Sequence, residues 1–211
     1  MTRSSRYTAD SGGLRQLCSM KAPTLSVDAV RHIRAIPGGY GWTGFLGIAT
    51  DRIGDLVIAN KPISFAAGES GTFPGIEVVE RSVYTGLFAK SLHEAESLSA
   101  VLKGLEAWNR EPVVEHVSIL LDYLKYYDTI RHTAEEITTD LGLLFSLSGG
   151  GHLIVLAADS EAELLEFGYA STPSQLAWWF SPEAVAQQWA IYDPEAGSEV
   201  LAMNRTRIEV T

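Results

Sequence analysis

Three side chains with metal-ligating chemistry, Asp128, His132 and Glu136, fall at positions i, i+4 and i+8, with Glu135 beside them. On a continuous helix they would project from one face, and carboxylates around an imidazole suit a divalent cation. A metal site needs further ligands, which nothing in the sequence supplies, and a row of this kind is more commonly a solvated face. No metal centre is assigned on this basis. Gly149-Gly150-Gly151 is the one run of three glycines. It lacks the lysine and hydroxyl residue of a phosphate-cradling loop and leads into an expected strand, so it reads as a hairpin turn. Cys18 is the single cysteine, which rules out an internal disulfide and the paired-cysteine zinc patterns. No base can be placed near it, so it is not read as a nucleophile. No Gly-x-Ser-x-Gly elbow and no His-Glu-x-x-His pattern occurs. Asp51 and Asp55 flank an expected turn and are read as turn residues. The chain therefore reads away from an enzyme, with no catalytic residue and no cofactor; the alternative is a metal- or small-molecule-binding enzyme domain without a local signature.

The aromatic residues carry a different chemistry. Tyr123, Tyr126 and Tyr127 lie between Asp122 and Asp128, and Trp178-Trp179-Phe180 falls in an acidic C-terminal third. Tyrosine and tryptophan beside carboxylates suit recognition of arginine and lysine on a protein partner, although core packing also claims aromatics. The candidate partner-binding residues are Asp122, Tyr126, Asp128, Glu135, Glu136, Asp140, Glu161, Glu163, Trp178 and Trp179.

The charge distribution points the same way. Formal net charge is −10. Residues 1–34 nevertheless hold six basic residues against Asp10 and Asp28, leaving a net of −14 on the rest. From His132 to Asn204 there is no lysine or arginine, but 11 acids. Such a field attracts basic proteins and repels nucleic-acid phosphates, so no direct nucleic-acid contact is expected. The plainer use of the acids is solubility. Taken with the missing motifs, the profile is that of a stoichiometric binder or inhibitor of a basic protein, as an immunity protein is to its toxin. The apolar runs fall far short of the roughly 18 residues a spanning helix needs, so a cytoplasmic protein without a membrane segment is expected.

The elements that must position these groups divide into three blocks. Residues 1–24 read as a basic, flexible extension, and 25–211 as one domain, a length that buries most of its surface without staples. Residues 27–90 carry β-forming runs broken by glycine and proline turns. Ser91 and Glu94 form a capping-box pattern ahead of an apolar stripe through Leu92, Ala95, Leu98, Leu102, Leu105 and Trp108. A second stripe follows Pro112, through Val113, Val117, Leu120, Leu121, Leu124 and Tyr127, which predicts a helical hairpin. Strands are expected at 143–148, 152–158 and 200–210, with 163–170 ambiguous. Thr172-Pro173 and Ser181-Pro182 each predict the start of a short helix. The fold class expected is α+β: an antiparallel or mixed sheet with a central helical hairpin and a short C-terminal helical segment.

Overall fold

The apolar stretch expected as the second helix of that hairpin forms a strand instead. In the computed structural model, β10 (Val114–Asp128) runs for 15 residues and lies beside β11 (Thr133–Leu147), also 15 residues. The two pair antiparallel from Val114 opposite Leu147 to Asp128 opposite Thr133. The structure describes residues 2–7, 27–30, 40–43, 45–48, 56–61, 63–64, 72–73, 75–80, 96–97, 114–128, 132–159, 164–190 and 198–209. Of the first expected helix, only Glu96–Ser97 falls within these residues, and it is strand β9. The described residues are mostly β-sheet with two short helices, so the α+β expectation with a central helical hairpin is overturned.

The reason lies in how β10 is covered. Along a strand, even and odd residues point to opposite faces. Ser118, Leu120, Asp122 and Leu124 share one face, and Val117, Ile119 and Leu121 the other; all are buried except Ile119, which is half-buried. A strand covered on both faces loses the polar–apolar alternation that distinguishes it from a helix. Bulges blur the pattern further, because Glu115 on β10 and Leu141 on β11 each interrupt the one-to-one register. The β-branched and aromatic content, with Val114, Val117, Ile119 and three tyrosines, is the feature that favours the strand.

The main sheet has seven strands. Its order is β14 (Ser198–Glu209), β10, β11, β12 (His152–Asp159), β13 (Leu164–Ala170) and β3 (Tyr40–Thr43). The seventh, β1 (Thr2–Tyr7), runs parallel to β11 beside Ala134–Thr139, while β12 pairs antiparallel with Gly142–Ser146 on that same strand. A second sheet orders β8 (Ile76–Glu80), β5 (Leu56–Asn60), β4 (Phe45–Ile48), β2 (Val27–Val30) and β9. A small ladder joins β6 (Ile63–Ser64) to β7 (Thr72–Phe73). Residues 8–24 of the basic extension, with Cys18, lie outside the described residues, as do residues 81–90 of the block expected to be β.

The two helices start where the sequence places them. In α1 (Pro173–Trp179) the Thr172 side chain accepts from the Gln175 backbone N–H, and the Gln175 side chain accepts from the Thr172 backbone N–H, a complete capping box. Ser181 caps α2 (Pro182–Ala190) through its hydroxyl, which accepts from the Ala184 N–H. Both helices follow β13 and cover one face of the main sheet. Trp179 packs there with Leu120, Leu144, Ile154 and Leu156. Gly168 on β13 makes room for it, since a Cβ at that position would overlap the indole ring. Gln188 of α2 donates to the Ala157 carbonyl at 2.8 Å, where a bulge at Ala158 interrupts the β12–β13 register. The opposite face presents Leu143, Phe145, Leu153, Val155 and Phe167, each at most 1% exposed. Strands β5 and β8 lie against β11, β12 and β13, and Asn60 of β5 donates to the Leu164 carbonyl at 2.9 Å. The Gly149-Gly150 turn between β11 and β12 has φ of 98° and 90°, backbone that glycine adopts freely.

Candidate functional site

Asp122 and Trp179, both expected at a partner surface, belong to an internal anchor. Asp122 is fully buried on β10, directly opposite Arg205 of β14. Arg205 Nε donates to Asp122 Oδ1 at 2.7 Å and Nη2 donates to Oδ2 at 2.9 Å. Its Nη1 reaches over to the Trp179 carbonyl at 3.0 Å. A planar guanidinium suits this work, because its fork fits a carboxylate and leaves a donor for a third partner. The arrangement ties β14, β10 and the C-terminal end of α1 together. Sequence spacing offered Asp122 to a partner; its actual partner stands 83 residues away, beyond the reach of local pattern.

The tyrosines separate once the segment is a strand. Tyr123 and Tyr127 share a face with Lys125, and Tyr126 shares the face of Asp122. Lys125 Nζ meets Glu136 Oε1 at 2.8 Å across the β10–β11 ladder. The hydrogen bond from Lys125 holds the Glu136 carboxyl below the usual carboxylate range, with the Tyr123 hydroxyl assisting. The same pairing raises Lys125. The i, i+4, i+8 geometry of Asp128, His132 and Glu136 disappears with the helix. His132 sits in the turn at φ 52°, with its Nδ1 3.5 Å from the Tyr127 hydroxyl. Among the described residues, no group of three or more metal-ligating side chains converges. Asp140 is 7% exposed on β11. Glu135 lies in β11 beside β1, with Arg3 its register partner. Glu161 and Glu163 lie outside the described residues.

One hydroxyl–imidazole contact deserves a chemical test. Ser146 Oγ stands 3.3 Å from His152 Nδ1, and Ser146 lies in register between His116 and His152. Burial, helped by the positive charge of Arg207, keeps the His152 imidazole below its ordinary range, so it is neutral at pH 7. Among the described residues no carboxylate bonds that imidazole, which leaves the pair without the orienting third group of a nucleophilic triad.

The surface feature that sequence reasoning missed is β14. It is the outer strand of the main sheet, and among the described residues no strand pairs with its free edge. Its side chains are exposed from Glu199 to Glu209 except at Met203 and Arg205. Among the described residues the exposed large hydrophobic side chains are Trp178, Val200, Leu201 and Ile208. Three belong to β14, and the fourth stands on α1, next to the residue whose carbonyl Arg205 holds. Trp178 is 44% exposed and meets the Trp179 ring edge-on at 5.2 Å, so a buried indole supports an exposed one. Glu199, Glu209 and Glu183 are exposed as well, and α2, which carries Glu183, packs on β14. Of the basic residues on β14, Arg205 is neutralised by Asp122 and Arg207 stands 3.8 Å from Glu209. The sequence did hold one signal: Val200-Leu201-Ala202-Met203 is an apolar run bounded by Glu199 and Asn204, just ahead of the first arginine after a long basic-free stretch. No helix among the described residues is long and apolar enough to cross a membrane. No family model, curated protein or solved structure matches this chain.

Proposed function

We propose that the chain is a protein-interaction module, a stoichiometric binder of a basic cytoplasmic protein, acting through β14 and Trp178. The observation that carries this reading is the 12-residue β14, whose outer edge no other strand meets among the described residues and which bears exposed Val200, Leu201 and Ile208 on an acidic chain. Long apolar edge strands invite another strand, and natural proteins blunt the edges they do not use. Here the one basic side chain pointing inward is consumed by Asp122, and the apolar ones stay outside. Main-chain hydrogen bonds along such an edge supply affinity, while Trp178 offers a rigid aromatic anchor and the exposed glutamates favour Arg- or Lys-bearing partners. An inhibitor of a basic enzyme, in the manner of an immunity protein, has these needs. A single cysteine is compatible with a reducing compartment.

The test is a low-salt pull-down from the native host lysate with the wild-type chain and Leu201→Lys in parallel. The expected result is one basic protein in near-equal amount, released by high salt and lost with Leu201→Lys. Equal capture by both chains, or no basic protein in either, overturns the reading.

A further inference from the structure

The ladder between β10 and β14 skips Leu201, because Lys125 faces Ala202 and Tyr126 faces Val200. A bulge of this kind interrupts pairing on the outer edge too, which leaves Ala202 to Glu209 as the regular run of β14. Along it Ala202, Asn204, Thr206 and Ile208 share one face, and Met203, Arg205 and Arg207 the other. The chain is acidic, yet Val200 to Ile208 holds two arginines and no acid. Arg205 is turned inward to Asp122 and its side chain is 1% exposed, so Arg207 is the one outward charge of that stretch. On an acidic protein, this edge is where a second copy of the same chain meets least repulsion.

Two identical strands related by a two-fold axis perpendicular to their sheet pair antiparallel, and each residue then faces one of the same parity. An axis at Arg205 uses the whole run 202–208. It sets Ala202 opposite Ile208 of the second copy, Asn204 opposite its Thr206 and Met203 opposite its Arg207. Each pair occurs twice and is compatible: small beside large, amide beside hydroxyl, thioether beside the stem of a guanidinium. The two Arg205 side chains do not oppose each other, since each donates to its own Asp122 at 2.7 and 2.9 Å. An axis at Thr206 would set Arg205 against Arg207, and one at Asn204 would shorten the run to 202–206. Charge and length therefore select Arg205.

We propose that β14 pairs antiparallel with β14 of a second copy of this chain about a two-fold axis at Arg205, forming a weak, reversible dimer. The proposal goes beyond the binding of a basic protein and uses the same edge, so a second copy and that partner exclude one another.

Sedimentation equilibrium of the full chain tests this without the partner in hand. The expected result is a monomer–dimer equilibrium with a dissociation constant on the order of 10 µM, because one strand pair is a small interface. Raising salt from about 0.05 to 0.5 M should tighten the dimer at least three-fold, since salt screens the repulsion between two chains of net charge −10. Capture of a basic protein responds to salt in the opposite sense. Ile208→Glu, at a position 41% exposed, should raise the dissociation constant at least ten-fold. Cross-linking in a Cys18→Ser background reads the register without relying on that variant. Asn204→Cys and Thr206→Cys chains, mixed, should form a disulfide-linked dimer at least ten-fold faster than either chain alone. A chain that stays monomeric to about 0.2 mM at both salts overturns the proposal. So does a dimer that salt weakens or Ile208→Glu leaves unchanged, or cross-linking as fast in one variant alone as in the mixture. A monomeric chain leaves the pull-down unaffected, and a failed pull-down leaves the dimer standing, so the two readings fail separately.

Discussion

Removing Asp122 isolates the buried Arg205 guanidinium. In the wild-type chain that group is 1% exposed and donates at 2.7, 2.9 and 3.0 Å, twice to Asp122 and once to the Trp179 carbonyl. Asp122→Ala removes two of these three acceptors and the countercharge that Arg205 meets among the described residues. Breaking one side of a buried pair costs about 3–5 kcal/mol, because the remaining charge stays desolvated and unanswered. Total stability for a domain is about 5–15 kcal/mol, so this single change consumes a large share of it. For a chain of this size about 2–4 °C of Tm accompany each kcal/mol, which places the expected drop at about 6–20 °C. Replacing both partners, Asp122→Leu with Arg205→Met, should recover at least about 2 kcal/mol of the loss, since an apolar pair needs no countercharge. Full recovery is not expected, because the Trp179 carbonyl then lacks its donor. Urea unfolding at pH 7, followed by indole fluorescence and far-ultraviolet circular dichroism, measures all three chains. A cost below about 1 kcal/mol for Asp122→Ala, or a double variant no better than the single, would refute the assignment of this pair as the anchor of β14.

Gly168→Ala forces a methyl group into the Trp179 indole and should lower stability by about 1–3 kcal/mol in urea unfolding; an unchanged midpoint would mean the ring is not seated there. His152 is held neutral in the folded chain, chiefly by burial and also by Arg207, so the unfolded chain binds the extra proton as pH falls. Stability is therefore complete above the ordinary imidazole range and declines as pH drops below about 6.5. His152→Gln should flatten the thermal-stability profile between pH 7 and 5, and an identical slope in both chains would contradict the burial of this ring. Trp178→Ala should leave stability within about 0.5 kcal/mol of wild type while weakening partner binding by about 30-fold, measured by titration calorimetry with the captured protein. An unaffected affinity would remove Trp178 from the interface.

The sequence was most legible where local chemistry decides the backbone. The two proline-led helices, the glycine turn at Gly149-Gly150 and the strands around it all follow from residues within a few positions of one another. It was least legible at 114–128, where burial on both faces and bulges at Glu115 and Leu141 left an apolar spacing that also fits a helix. The site readings inherited that error. Asp128, His132 and Glu136 lost their common face, Tyr126 separated from Tyr123 and Tyr127, and Asp122, expected to meet a partner, forms a buried pair with a residue 83 positions away. Of Trp178 and Trp179, both expected at a partner surface, the first is exposed and the second lies in the core. The free edge of β14 could not be read from sequence, because whether a strand is central or outermost depends on pairings that no local pattern encodes.

Hydrogen exchange of the chain, alone and with its captured basic partner, tests the central claim most directly. The account predicts slowed amide exchange over residues 198–209 and around Trp178 on binding, lost again when salt releases the partner. Unchanged exchange along β14, with protection confined to another surface, would contradict it.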